Sequence, residues 1–426
     1  MPEPVVIDFE VQIGETNKDY ADISAAEDAL HTDLTSAETV VYKVNIGSLS
    51  GAIADGADIS GGTNSYDADV LHLQENGQDG SYYILVEHDT EDEFFADGEV
   101  LDAGGGNTIT LAAADALMAL RHLKLIFYDD FLAGYHDDYV DFGTDWTAST
   151  DHKIIITVNE ADRHDGTAES GFYWYSTNAG NYPGIIHRAD YMEMEWVELQ
   201  APNATSANIV YHSASGDASI IQYCLFHNIA NTNENLMDIF RTAQADKSDV
   251  LIKDTCIYDI GAKTLLRFNT LSNCVLLSQS GEQWGYYGTN NDEILLHTCA
   301  CYNVVVWNGD SVHDSYGTFN SCTGDYNAGD DSSAPGAHSI DNLTLGDGAG
   351  KADFVNTAAG SEDFHLKGTT GVLYDAGDTT GDANSLTEDL DGDARAELGA
   401  CDIGIDEYVS EEPPAGVVIF RRRTAG

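Results

Sequence analysis

Carboxylates are the commonest reactive groups in this chain. Asp and Glu number 73 against 18 Lys and Arg, a formal net charge of −55. Three pairs are adjacent: Asp129 with Asp130, Asp137 with Asp138, and Asp330 with Asp331. Glycoside cleavage needs two carboxyl groups about 5 to 9.5 Å apart, flanking the bond. Adjacent residues on a strand point to opposite faces, so these pairs qualify only in loops. Elimination on an acidic sugar would also need cations, here Lys124, Arg163, His164, His187 and Arg188. A chain this acidic repels a polyanionic substrate. Surface solvation is the simpler role for most of the acids, and no catalytic residue is assigned.

Two aromatic runs suit sugar contact, because rings stack on sugar faces while carboxylates bond the hydroxyls. Phe172-Tyr173-Trp174-Tyr175 is one, and Trp284-Gly285-Tyr286-Tyr287 is the other. Tyr173, Trp174, Tyr175, Trp284, Tyr286 and Tyr287 are the glycan-binding candidates. On a strand, alternation sends two of the rings of Phe172–Tyr175 inward as packing and two outward.

Asp389, Asp391 and Asp393 resemble half of a calcium loop, but its twelfth position is Ala400 rather than Glu. Calcium is a weak candidate there, and no other cofactor is expected. There is no phosphate-binding loop, dinucleotide fingerprint or nucleophile elbow.

Five short β-prone runs each end in Cys: at Cys224, Cys256, Cys274, Cys299 and Cys322. Their steps of 32, 18, 25 and 23 residues match the period of a repeat architecture. These five are expected to stack as an internal ladder of small apolar side chains. Metal thiolate sites want Cys pairs two to four residues between ligands, and the closest two, Cys299 and Cys301, have one. An odd total of seven, without a compact framework, predicts buried thiols rather than disulfides.

The elements that would position these residues are strands and turns. Gly is abundant at 41, Tyr reaches 22 and Pro is only 7. Asp favours turns over strand interiors, so a turn-rich chain can carry many. The acidic surface is screened at high salt, which suits a marine or hypersaline setting. Phosphate contacts need clustered Lys and Arg, so direct nucleic-acid binding is not expected. Nor is membrane insertion, because no apolar run is long enough. The opening Met-Pro-Glu-Pro-Val-Val-Ile-Asp does not read as a secretory signal.

Along the chain, residues 1–50 read as an N-terminal cap. Val5–Val11 alternates as a strand. Ile23, Ala26, Leu30 and Leu34 form a helix face, with Asp22 or Ser24 as cap and Ser24 with Glu27 as a capping box. Residues 51–150 read as early coils with an insertion and a helix near Leu111–Leu120. Residues 151–345 hold the Cys-marked coils, with Asn and Gly after the strands (Asn228, Gly261, Gly309) for left-handed corners. Tyr191–Leu199 reads as one strand with an acidic face. Residues 346–408 close the domain. Residues 409–426 are a linker and a docking tail, Val417-Val418-Ile419-Phe420-Arg421-Arg422-Arg423, whose basic end suits an acidic partner.

Two regions resemble right-handed parallel β-helix proteins of phages, viruses and bacterial surfaces. One is Asp19–Leu30, followed by Arg163–Gly171. The other runs through Phe354–Asn356, Asp363–Leu366, Asp375–Gly377, Asp389–Arg395 and Asp402–Tyr408. The resemblance implies an all-β solenoid. It also implies a virion structural protein (capsid decoration, head fibre or tail spike) that assembles in the host cytoplasm and is exposed after lysis. Its partners would be other virion proteins through the tail, further copies of itself in a trimer, and a host-surface glycan. A polysaccharide-degrading spike and a cell-surface β-helix protein are the alternatives.

Overall fold

The computed structural model describes residues 5–408 apart from 16–17, 30–40, 51–57, 62–66, 75–82, 89–99, 112–115, 138–139, 143–147, 150–152, 178–184, 188–190, 203–209, 213–218, 231–236, 243–249, 259, 262–263, 268–269, 279–295, 309–318, 348, 359–361, 378–388, 391–394 and 396–400. Leu30, Leu34, Gly309, the linker and the docking tail lie outside these residues. So do Trp284, Tyr286, Tyr287, Asp391 and Asp393.

The described chain is almost all β, with parallel sheets and one seven-residue α-helix, Ile23–Ala29. Among the described residues no helix is long and apolar enough to cross a membrane. From Lys153 onward the chain visits three sheets in turn. Lys153–Val158, Met192–Glu195, Ile220–Gln222, Leu251–Lys253, Thr270–Ser272, Ala300–Tyr302 and Thr323–Asp325 are successive neighbours in the first sheet. Tyr173–Tyr175, Glu198–Ala201, Leu225–Ala230, Cys256–Tyr258, Val275–Ser278, Val305–Asn308 and Ala328–Gly329 form the second. The third runs from Val140–Phe142 to Phe319–Asn320. Each pairing in these runs is parallel.

Period-two alternation decides which side chains face inward. Ile156, Met194, Ile221, Ile252, Leu271 and Cys301 align across the first sheet. Trp174, Leu199, Phe226, Ile257, Leu276 and Val306 align across the second. All are buried in one apolar cluster. Each large side chain removed from water contributes about 1.5–3 kcal/mol.

One column of corners turns the chain from the first sheet to the second. Trp196, Tyr223, Asp254, Asn273, Asn303 and Tyr326 occupy it, all left-handed with φ between 39° and 61°. Asn suits that conformation; Trp and Tyr do not, and for L-residues it costs roughly 1–2 kcal/mol. Side-chain stacking along the column offsets this. Trp196 stacks on Tyr223 at 4.4 Å, and Asn303 Nδ2 donates to Asn273 Oδ1 at 3.1 Å.

The ends of the inner cluster are covered. At one end Ile23 and Ala26 of the helix are buried in it. Asp22 Oδ1 accepts the Ala25 N–H at 2.8 Å, so Asp22 rather than Ser24 supplies the cap. At the other end the segment 330–340 folds back. Ser333 Oγ accepts the Phe319 N–H, Ala334 packs on the cluster and Ile340 bridges to Ala328.

The structure corrects the sequence reading of residues 51–150. The expected helix near Leu111–Leu120 is instead strand, in Thr108–Leu111 and in Ala116–Phe127. Leu and Ala propensity there yields to pairing, because Ala116–Leu120 lies between Val5–Ile13, paired in parallel, and Val41–Ser50, paired antiparallel, while His122–Phe127 pairs in parallel with Lys153–Val158. The strands of 41–111 join the first sheet through antiparallel pairs rather than repeating the parallel pattern.

The closing segment packs on the outward face of the second sheet. Leu225, Cys256, Tyr258, Val275, Val305 and Ala328 meet Phe354, Phe364, Leu366, Leu373, Ile403 and Ile405 in a second apolar cluster.

Candidate functional site

Several polar networks among the described residues meet at 191–201 and their neighbours. The sequence reads Tyr191–Leu199 as one strand, but it is two. Left-handed Trp196 (φ 61°) ends Met192–Glu195 in the first sheet, and the chain re-enters the second at Glu198–Ala201. The acidic side chains are therefore divided between two faces that meet at the Trp196 edge.

On the first-sheet face, Glu193 and Glu195 both point outward. Lys153 Nζ donates to Glu193 Oε2 at 3.1 Å. Gln222 Nε2, on the next strand, donates to Glu193 Oε1 at 3.1 Å and to Glu195 Oε1 at 2.5 Å. Burial, then the Glu193 charge, holds the Glu195 carboxyl above its ordinary value. The two acids thus differ: Glu193 has a lysine partner, while Glu195 retains a proton to higher pH. The Trp196–Tyr223 stack borders them, and the Arg163 guanidinium lies 4.9 Å over the Trp196 ring.

On the second-sheet face, Trp174 is fully buried while Tyr173 and Tyr175 point outward and are half-buried. The Tyr135 ring joins them, with centroids 6.0 Å from Tyr173 and 4.9 Å from Tyr175. The strand register sets Tyr173 beside Glu198 and Tyr175 beside Gln200. Glu198 is wholly buried and fully engaged. Its oxygens accept the Glu169 N–H at 3.0 and 2.9 Å and the Gln200 amide at 3.2 Å, and Oε1 lies 2.7 Å from His227 Nε2. Gln200 also donates to Glu169 Oε1 at 3.1 Å and accepts from Asn228 Nδ2 at 3.1 Å. His227 stacks on Tyr258 at 4.8 Å, with planes 7° apart. Burial, then Glu169 and Glu198, raises the Tyr173 phenol above its ordinary value, so it remains a hydrogen-bond donor. Three rings beside a fixed carboxylate–amide–imidazole network give stacking surfaces next to oriented donors and acceptors.

The other sequence candidates fall elsewhere. The expected Cys ladder is divided: Cys224 and Cys274 share one column, following corners Tyr223 and Asn273, and Thr255 stands between them after Asp254. Cys256 aligns with Leu225 and Val275 on the outward face, under the closing segment. Cys299 and Cys322 follow a different corner, after left-handed Thr298 and Ser321. A one-residue offset reverses the face of a strand residue, and sequence spacing did not resolve it. Asp389 is buried and its Oδ2 accepts the Glu407 N–H at 2.9 Å. No group of three or more His, Cys, Asp or Glu among the described residues is placed to hold a metal ion. The adjacent acids fix loops: Asp130 accepts from Glu15 N, Asp137 from Thr177 N and Oγ1, and Asp331 from Ser333 N. Arg163 donates to the Val158 carbonyl at 3.3 Å, and His164 is buried, its imidazole pushed down to about 4 chiefly by burial. Tyr135, Glu198, Gln200 and His227 escaped the sequence reading. The outward period-two positions after Tyr173 and Tyr175 in the next strands were the signal that could have found Glu198, Gln200 and His227.

A scan of the chain against protein-family models gives no match, and a search among curated proteins gives none either.

Proposed function

We propose that the three parallel sheets are the faces of a right-handed parallel β-helix, and that the chain is a virion structural protein which presents this surface to a host-surface glycan. Right-handedness is the rule in about 98% of parallel crossover connections. The resemblance to phage and viral β-helix proteins supports the virion assignment, and the strong negative charge favours a neutral glycan over an acidic one. The tail Val417–Arg423 docks the chain to other virion proteins in this reading, and self-association to a trimer belongs to it. The observation that carries glycan binding is the outward cluster Tyr135, Tyr173 and Tyr175 beside Glu198 and Gln200. A glycan array probed with the wild-type chain and with Tyr173→Ala/Tyr175→Ala tests it. Wild-type binding to neutral glycans that falls at least about tenfold in the double variant is expected. Equal binding by both proteins overturns the reading.

A second reading, glycan cleavage, is favoured by one observation: Glu193 and Glu195 share Gln222 beside the Trp196–Tyr223 stack, with burial raising the Glu195 carboxyl above its ordinary value. Hydrolysis of a bound neutral polysaccharide that stops in Glu195→Gln would establish it.

A further inference from the structure

Glu169 stands apart among the residues beside the tyrosine rings. It belongs to the loop 163–172, which leads into Tyr173–Tyr175. That loop closes on itself: the Asp165 N–H donates to Ser170 Oγ at 3.0 Å, and Ser170 Oγ donates to the Thr167 carbonyl at 2.8 Å. Gly171 lets it return, because a Cβ there would sit 2.4 Å from the Asp162 carbonyl oxygen. Glu169 itself is left-handed, with φ 57°. Glycine would adopt that backbone without strain, so the side chain is what this position adds. Two bonds hold it there: the Glu169 N–H donates to both oxygens of the buried Glu198 carboxylate, at 3.0 and 2.9 Å. Strand register sets Glu198 beside Tyr173 and Gln200 beside Tyr175. Glu169 Oε1 accepts from Gln200 Nε2 at 3.1 Å. Glu169 is otherwise exposed, and its Oε2 accepts from no residue among those described.

We propose that Glu169 is the specificity-determining residue of the tyrosine platform: its exposed carboxylate accepts hydrogen bonds from the hydroxyls of a neutral sugar stacked on Tyr173 and Tyr175, and it repels a sugar that carries a carboxylate. The inference rests on the glycan reading and narrows it to hydroxyl-rich neutral sugars. Gln200 fixes the carboxylate through one oxygen, so less rotamer freedom is lost when a ligand binds. A hydrogen bond to a charged acceptor is about twice as strong as a neutral one. A like charge brought against that acceptor is penalised, which turns one residue into a filter. The left-handed backbone fits the assignment, because such strain persists only where surrounding contacts hold it, here the bonds to Glu198.

The test measures binding of the full-length chain to immobilised neutral oligosaccharides of glucose, galactose and mannose, and to the matching uronic-acid oligosaccharides. Wild type is compared with Glu169→Gln, Glu169→Gly and Tyr173→Ala/Tyr175→Ala. Wild type should bind a neutral probe in preference to its uronate counterpart. Glu169→Gln should bind that neutral probe about tenfold more weakly and lose about tenfold of the preference. Glu169→Gly should bind as weakly without a fall in thermal midpoint, since glycine relaxes the backbone. A lowered midpoint with unchanged binding would make Glu169 a structural residue and overturn the inference. Wild-type affinity and preference in Glu169→Gln, with binding lost in the tyrosine variant, would overturn it and leave the platform standing. Wild type that binds no neutral probe would overturn the glycan reading and this inference with it.

Discussion

Arg395 reaches back 141 residues to bond the carboxylate of Asp254, and both side chains are buried. Asp254 is a corner residue between the first and second sheets, while Arg395 belongs to the closing segment. Arg395 Nη2 also donates to the Gly404 carbonyl at 3.1 Å, and the Gly404 N–H donates to the Asn303 carbonyl at 3.0 Å. The pair therefore pins the closing segment onto the corner column. Arg395→Ala removes the charge-assisted bonds to Asp254 and to the Gly404 carbonyl, a loss of about 1.5–3 kcal/mol for each. Denaturant unfolding should report that loss, and limited proteolysis should show cleavage within 346–408 first. An unchanged midpoint contradicts the assigned role.

The same pair carries a pH dependence. Burial, opposed by Arg395, pushes the Asp254 carboxyl up to about 7. Burial lowers Arg395, but Asp254 and Asp389 more than offset this, so the guanidinium stays charged. An unfolded Asp titrates near ~3.9. The folded value is raised, so the contribution of this group is complete below about pH 4 and is lost as pH rises through about 7. Asp254→Asn does not titrate there. Its stability relative to wild type should improve between pH 4.5 and pH 8, as read by urea unfolding at both. A constant difference argues against ionisation of Asp254 in that window.

Tyr173, Trp174 and Tyr175 should separate binding from stability. Trp174→Ala removes a fully buried indole and should cost about 3–5 kcal/mol. Tyr173→Ala and Tyr175→Ala remove outward rings and should weaken sugar binding with little change in thermal midpoint. Calorimetric binding and thermal scans on the three variants distinguish these effects. Equal destabilisation by all three would place the tyrosines in packing.

Glu198 holds the segment around Glu169 to the second sheet through two hydrogen bonds to one N–H and a contact with His227. Glu198→Ala should cost about 1.5–3 kcal/mol, the range for hydrogen bonds to a charged group. Hydrogen exchange should rise at Glu169 and its neighbours. Unchanged protection there would assign the ordering of that segment to other contacts.

Much of the architecture was legible because inward positions follow a period of two: Ile154–Ile156, Met192–Met194 and Phe172–Trp174 declare their buried faces directly. The short helix Ile23–Ala29 was legible too, since Asp22 precedes an apolar helical spacing. Register was not. Cys256 and Thr255 differ by one position, and only partners 19 to 31 residues away decide which faces inward. Corners occupied by Trp196 and Tyr223 were hidden because sequence rules assign left-handed backbone to Gly and Asn. The helical propensity of Ala116–Leu120 was overridden by strands remote in sequence, which no local pattern reports. In the candidate site, Tyr173 and Tyr175 were visible as aromatics, but Tyr135 and His227 come from distant segments.

Charge gives a solvent prediction. A net charge of −55 repels itself across the surface. The Debye length shrinks from about 10 Å at 0.1 M salt to about 3 Å at 1 M. The thermal midpoint should rise over that interval, and a midpoint that falls would mean local ion pairs outweigh the net repulsion.

We propose that this chain is displayed on a virus particle. Mass spectrometry of purified cell-free particles from the source culture tests it most directly. The account predicts the intact chain at a stoichiometric ratio to capsid or tail proteins. Recovery only from cell envelopes or from particle-free medium would contradict it.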